Sequence, residues 1–276
     1  MITTLFALFI AVVIILRISF LRWGPDASRF YPTGKLIVLG HRGYSKSAHE
    51  NTIGAIKSAL SFGADGAEVD IRQTKDGYLV LHHNAEFHSE AEVAIVIRDS
   101  NYSDIIGFQK KIADINFNEN QMMPLLEDVW TKIPAGKWMN LEIKVERMKC
   151  AGFEESVIKL VRLHREIDTT LISSFNLFAL RKVKKIDSTI QTGLLWDKRT
   201  DSVLWFLPII LSFLVRADAL HLHLELANNR IVNACHRLGL KVNIWTVNTK
   251  EKLETVRQMN VDGIITDEIE LIRKFV

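Results

Sequence analysis

Glu68 and Asp70 stand two residues apart inside the apolar run Gly66–Ile71, so in an extended chain they share one face. Asp76-Gly77 follows, a two-residue signal for a tight β-hairpin. A turn of that kind sets Asp70 directly opposite His83, with His82 pointing the other way. A third acid, Glu142, lies near the end of the apolar run Met139–Ile143, and His41 and Arg42 directly follow the run Leu36–Gly40. Carboxylates inside apolar strands are costly to bury unless they are paired or bound to metal. Three of them converging predict an oxygen-rich site for a hard dication, Mg²⁺ or Ca²⁺. The competing expectation for Glu68, Asp70 and His83 is a solvated polar strand face.

Such side chains converge only if the strands carrying them do. From Leu36 onward, eight short apolar runs alternate with helical patterns. The runs are Leu36–Gly40, Gly66–Ile71, Met139–Ile143, Leu171–Ser174, Thr192–Leu195, Ala219–Leu222, Val242–Val247 and Gly263–Thr266. Helical segments are expected near 51–62, 153–165, 176–186, 228–238 and 249–259. This alternation predicts an α/β chain folded as a (β/α)₈ TIM barrel with an extra β-hairpin strand. No GxGxxG follows any strand, which removes the main support for a doubly wound open sheet. In a barrel, residues just past a strand reach the C-terminal mouth, which is where His41 and Glu142 fall.

Composition narrows the class further. With 48% hydrophobic and 24% charged residues the chain is neither disordered nor fibrous, and 276 residues suffice for one large domain. A net charge of +3 gives no case for a nucleic-acid partner. Two cysteines, Cys150 and Cys235, are too few for a disulfide framework or a thiolate zinc site. Residues 1–21 carry one charged side chain, Arg17, and are expected to be a transmembrane anchor. The flanking cations Arg22, Arg29 and Lys35 place the main domain on the cytoplasmic side. Residues 22–34, with Gly24, Pro25, Pro32 and Gly34, read as a linker, and 35–276 as the barrel. Val203–Val215 is too short to span a bilayer, and is expected either to cap the barrel or to lie in a membrane interface.

At the residues that could do chemistry the sequence resembles the glycerophosphodiester phosphodiesterase family. The resemblance is carried by His41-Arg42-Gly43, Glu50-Asn51-Thr52, Gly63–Asp70, Thr74–Gly77 and His83. It continues through Leu141–Lys144, Ser173–Asn176, Trp245–Asn248 and Val261–Asp267, in family order. It implies a barrel and metal-dependent hydrolysis of glycerophosphodiesters to glycerol 3-phosphate and an alcohol. It also implies that Glu68, Asp70 and Glu142 hold the metal, that His41 and His83 are the acid/base pair, and that Trp245 walls the glycerol pocket. Histidine suits proton transfer near neutral pH. Arg42 and Lys144 are suited to non-bridging phosphate oxygens, although a surface ion pair for Arg42 and neutralisation of Glu142 by Lys144 are open alternatives. The sequence departs from the family at Asn84, where Asp is usual, at Ala85–Ser89 in place of Arg-Thr-Thr, and at His49 in place of Pro. The departures at 84–89 fall in or beside a region, 85–123, expected to be loop, and bear on substrate choice. A lysophospholipase D acting on membrane lysophospholipids and a non-catalytic membrane-anchored scaffold are the alternative functions.

Overall fold

The computed structural model describes residues 23–88, 94–112, 122–145, 152–164, 166–197 and 205–276. Strand β1 (Ile37–His41) is followed by β2 (Gly66–Gln73) and by β3 (Leu79–Leu81), which runs antiparallel to the end of β2. Next, β4 (Glu86–His88) and β5 (Ala94–Val96) form a separate two-stranded sheet. The remaining strands are β6 (Trp138–Ile143), β7 (Thr170–Ser174), β8 (Gln191–Trp196), β9 (Ala219–His223), β10 (Lys241–Trp245) and β11 (Gly263–Thr266). β1 pairs in parallel with β11 on one side and with β2 on the other, so eight parallel strands close into a barrel. The expected TIM-barrel fold with an added hairpin strand is therefore what the chain adopts.

Helices occupy the intervals: α1 (Ile53–Ser61), α2 (Tyr102–Ile112), α3 (Leu126–Lys132), α4 (Phe153–Leu163), α5 (Leu177–Ile186), α6 (Leu207–Val215), α7 (Asn229–Arg237), α8 (Lys250–Gln258) and α9 (Ile269–Arg273). Their starts are written in the sequence. Thr52, Asn176, Asn228 and Thr249 each accept a hydrogen bond from a first-turn N–H of the helix they precede. Two large apolar clusters lie between helices and sheet, and a third, with Phe30, Tyr31, Leu39, Leu171 and Ile265, fills the barrel interior. Space in that interior is tight. A Cβ on Gly193 would lie 2.6 Å from the buried His221 ring, so only glycine fits opposite that imidazole.

Several expectations are corrected. The β2–β3 turn has three residues, Lys75-Asp76-Gly77, closed by Thr74 N–H donating to Tyr78 O at 2.9 Å, with Gly77 at φ +91°. The register is therefore one residue away from the expected one. Ile71 pairs with Leu81, and it is the His82 N–H that donates to Asp70 O at 3.0 Å. β3 ends at Leu81, the chain leaves the ladder, and His83 reaches the mouth as a loop residue rather than as a cross-strand partner. The region 85–123 is not all loop, since it contains β4, β5 and α2. Of the apolar stretch 203–215, residues 203 and 204 lie outside the described residues and Leu207–Val215 forms α6, whose Pro208, Ile209, Ser212, Phe213 and Val215 are buried while Leu214 faces outward.

The expected transmembrane anchor, 1–21, lies outside the described residues. Among the described residues no helix is long and apolar enough to cross a membrane. The segment read as a linker, 22–34, is from Trp23 onward part of the barrel. Ala27, Phe30 and Tyr31 are buried and close its N-terminal end. Phe30 N–H donates to Gln191 Oε1 at 3.0 Å, Trp138 Nε1–H donates to Phe30 O at 2.8 Å, and Tyr31 Oη meets His221 Nε2 at 3.1 Å. Glycine and proline there mark a path over the barrel end, not a tether. Phe30→Ala is accordingly expected to cost about 3–5 kcal/mol in urea unfolding, the scale for emptying a packed aromatic site. A chain starting at Trp23 should keep the full transition, and one starting at Pro32 should not.

Candidate active site

Barrel register puts the acids together. In the parallel ladders His41 lies beside Glu68, Glu68 beside Asn140, and Asp70 beside Glu142. Glu68, Asp70 and Glu142 are all buried, and each offers a carboxylate oxygen within 4.8 Å of the others. Two cations stand against them. Lys144 Nζ is 2.9 Å from Asp70 Oδ1 and 2.5 Å from Glu142 Oε1. Arg42 Nε is 3.3 Å from Asp70 Oδ2, and its Nη1 donates to both oxygens of Glu50 at 3.0 Å. Arg42 sits at φ +55°, a left-handed position directly after β1, and its N–H donates to Glu68 Oε2 at 3.1 Å. The strained turn thus aims both the backbone and the guanidinium into the acids.

Burial raises the carboxyl of Glu68 to about 8, with the negative Asp70 next in effect and Glu142 adding to it. Glu142 is also pushed up, first by burial, although Lys144 opposes the shift. Burial acts on Asp70 in the same sense, but Lys144, Arg42 and the Asn51 amide outweigh it and hold Asp70 below the usual carboxylate range. The opposite shifts of two acids sharing one lysine mean that the triad titrates as a unit. Burial and the neighbouring Asp70 outweigh the opposing charges of His41 and Lys144 and hold the Glu68 carboxyl up. Three buried oxygen donors with unmet negative charge fit a hard dication, and the donor set contains no sulfur or nitrogen that would favour a softer one.

The two histidines are placed differently. His41 Nδ1 lies 2.7 Å from Asp267 Oδ1, and Asp267 is held in turn by Asn248 Nδ2 at 2.6 Å. Burial disfavours the imidazolium of His41, but the Asp267 hydrogen bond and the charges of Glu68 and Asp267 win, leaving His41 above its ordinary value. His83 Nδ1 has only the neutral Asn84 Oδ1, at 2.8 Å, and burial pushes His83 below its ordinary value, partly offset by Asp70. Trp245 stands at the mouth, with its ring edge against Phe175 at 5.9 Å and its Nε1–H donating to His221 O at 3.2 Å. His41, Arg42, Glu68, His83, Glu142, Lys144 and Trp245 line one cavity, with Asp70 beneath them. All eight residues singled out in the sequence therefore meet. Both cations are ion-paired inside the site, so Arg42 is not a surface pair, and Lys144 does neutralise Glu142.

Other members of the site carry no role in the sequence reading. Asn51 clamps Asp70 twice, donating Nδ2–H to Oδ2 at 2.8 Å and accepting the Asp70 N–H at 2.9 Å. Asp267 directly follows the last barrel strand and His41 ends the first, and those neighbouring positions at the mouth were a legible signal. Asn140 is fully buried below Glu142, lines the cavity, and has no hydrogen-bond partner for either polar atom. His221 is buried and pushed down to about 3, and burial drives the Cys235 thiol up to about 12, so both are packing groups.

The model of the glycerophosphoryl diester phosphodiesterase family matches residues 41–271. A glycerophosphodiester phosphodiesterase from Caldanaerobacter subterraneus subsp. tengcongensis is 35% identical over 250 residues, covering 87% of this chain and 99% of that protein. The solved glycerophosphodiester phosphodiesterase of Thermotoga maritima superposes with a TM-score of 0.70 at 25% identity, covering 88% of this chain and 99% of that one. A phosphodiesterase of Oleispira antarctica, solved with the product sn-glycerol 3-phosphate, gives a TM-score of 0.72 at 23% identity, covering 90% and 98%.

The raised carboxyl of Glu68 would make binding of a dication by the triad pH-dependent. Its folded value, about 8, lies above its ordinary 4.5, so the stability it lends is present below 4.5 and lost as pH rises through about 8. A dication needs the ionised triad and should restore that loss. Adding Mg²⁺ or Ca²⁺ to chelated protein should raise Tm clearly at about pH 8 and little at about pH 5. An equal shift at both would place binding elsewhere.

Proposed function

Because the chain belongs to the glycerophosphoryl diester phosphodiesterase family, and is a phosphoric diester hydrolase, we propose that it hydrolyses glycerophosphodiesters to glycerol 3-phosphate and an alcohol by paired histidine acid/base catalysis. The observation that carries this reading is the buried Glu68–Asp70–Glu142 triad flanked by two imidazoles in one cavity. Glu68, Asp70 and Glu142 would hold a dication, Mg²⁺ or Ca²⁺, and when bound it supplies positive charge to the phosphodiester and to the attacking hydroxyl.

The side chains of the protein do the remaining work. Asp267 fixes His41 with Nδ1–H directed at the carboxylate, which leaves Nε2 for the cavity. A carboxylate behind an imidazole stabilises the imidazolium that forms when the ring takes a proton. His41 therefore acts as base and removes the proton of the 2-hydroxyl of the glycerol unit. That oxygen attacks phosphorus, and the P–O bond to the alcohol breaks. His83 has a neutral partner and a depressed pKa, and in its protonated form it gives up its proton readily; it passes that proton to the departing alcohol oxygen. Water then opens the resulting cyclic ester with the proton transfers reversed. Arg42 and Lys144 hold non-bridging oxygens, exchanging part of their carboxylate contacts for phosphate. Trp245 and Phe175 wall the glycerol side.

Chelation should abolish turnover, and Mg²⁺ or Ca²⁺ should restore it; full activity in exhaustively chelated protein would refute the metal role. His41→Ala and His83→Ala should each lower kcat at least about 10²-fold. A p-nitrophenyl ester, whose leaving group needs no proton, should rescue His83→Ala but not His41→Ala. Rescue of His41→Ala alone would exchange the two roles.

A further inference from the structure

Asn140 stands apart in the active-site cavity. Its side chain is 0% exposed and lines that cavity with His41, Glu68 and Glu142. Among the described residues, neither its Oδ1 nor its Nδ2 meets a hydrogen-bonding group. Barrel register fixes its place. Asn140 is the partner of Glu68 across β2 and β6, and it precedes Glu142 by two residues, so all three share the inner face. Along the strand it lies about 6–7 Å further from the mouth than Glu142. Its side chain is also one methylene shorter than that of Glu68. The carboxamide therefore stands beneath the level at which the three carboxylates meet, on the closed side of the barrel.

A carboxamide buried without partners is costly, and leucine, of nearly the same size, would fill the position without that cost. A polar occupant of the cavity accounts for the polar side chain. The cavity, of about 100 Å³, has room for an ion and a few waters, each water taking roughly 30 Å³ in the liquid. A hard dication takes six or more oxygens, and the triad offers three carboxylates. A substrate arriving from the mouth meets the carboxylates first, so the shell on the floor side falls to water. Water bound to a cation turns its hydrogens outward and needs an acceptor. Asn140 Oδ1 is a neutral acceptor at the right depth, and Nδ2–H can return a hydrogen bond to a carboxylate oxygen turned away from the ion. Leucine could do neither, and aspartate would add a fourth negative charge.

We propose that Asn140 is a positioning residue of the dication site, holding through its carboxamide oxygen a water of the ion's shell on the closed side of the barrel. It tightens the hold on the ion without adding charge. Asn243 supplies the contrast: it too is fully buried with both polar atoms unpartnered among the described residues, but it does not line the cavity. The proposal rests on the dication reading above.

The test titrates Mg²⁺ or Ca²⁺ into the chelated full chain at about pH 8, where the triad ionises, and reads the dissociation constant by calorimetry. Thermal unfolding of chelated and loaded protein runs alongside. Asn140→Leu and Asn140→Ala should each weaken ion binding about tenfold or more, the scale for losing a group that orders a metal's surroundings. Chelated Asn140→Leu should melt no lower than the unaltered chain, because it sheds an unpaired polar group, while its ion-induced rise in Tm should shrink. A merely structural asparagine would do the reverse, with the chelated protein melting lower and ion affinity holding. Asn243→Ala should leave the dissociation constant unchanged. If Asn140→Leu does not fold, Asn140→Ala carries the affinity comparison. Ion binding unchanged in the Asn140 variants, or weakened equally by Asn243→Ala, overturns the proposal and leaves the hydrolase reading intact. Failure of the unaltered chain to bind either ion overturns the triad as a metal site and the proposal together.

Discussion

Three carboxylates buried within 4.8 Å of one another are the constraint around which the mouth is built. Like charges at that distance away from water do not all ionise unless cations compensate them. Lys144 and Arg42 compensate Asp70, Lys144 compensates part of Glu142, and burial beside Asp70 pushes the Glu68 carboxyl up. A dication would offset this imbalance, and the same uncompensated charge draws both cations into the cavity rather than into solvent. Neighbouring polar groups serve the same end. Asn51 grips Asp70 through two hydrogen bonds, and the backbone at Arg42 accepts a left-handed conformation to bring an N–H to Glu68.

A closed barrel suits such a site because each acid is fixed by strand pairing rather than by a loop. Asp70 and Glu142 are register partners, as are His41 and Glu68. Shifting one strand by a residue would turn a carboxylate outward into the helix layer, where nothing compensates it. The rest of the interior secures the register. Gly193 makes room for His221, which reaches Tyr31, and Tyr31 with Phe30 closes the opposite end. Packing at the closed end and charge compensation at the mouth are thus two ends of one interior.

The two imidazoles show how partners differentiate identical side chains. His41 has an aspartate behind it and His83 a carboxamide, and the pKa of the first lies above the ordinary value and that of the second below. Groups whose environments push them apart in this way divide the donor and acceptor roles between them.

Much of this architecture is legible in the chain itself. The eight barrel strands fall where eight apolar runs predict them, because a strand covered on both faces needs a continuous apolar run. Glu68, Asp70 and Glu142 stand out because charge inside such runs has no cheap structural explanation. Periodicity could not supply contacts made only when the barrel closes. His41 and Asp267 are 226 residues apart, and pairing β1 with β11 brings them together. The hairpin register depended on whether the turn held two residues or three, a choice made by Thr74 and Tyr78 closing it. Residues 23–34 resemble a linker in composition, yet Phe30 and Tyr31 find their burial in a barrel end that no local pattern announces. Which residues are apolar strand and which are stranded charge follows from neighbours along the chain and can be read there. Which partner compensates each charge follows from proximity across the closed sheet, and that exists only once the barrel has formed.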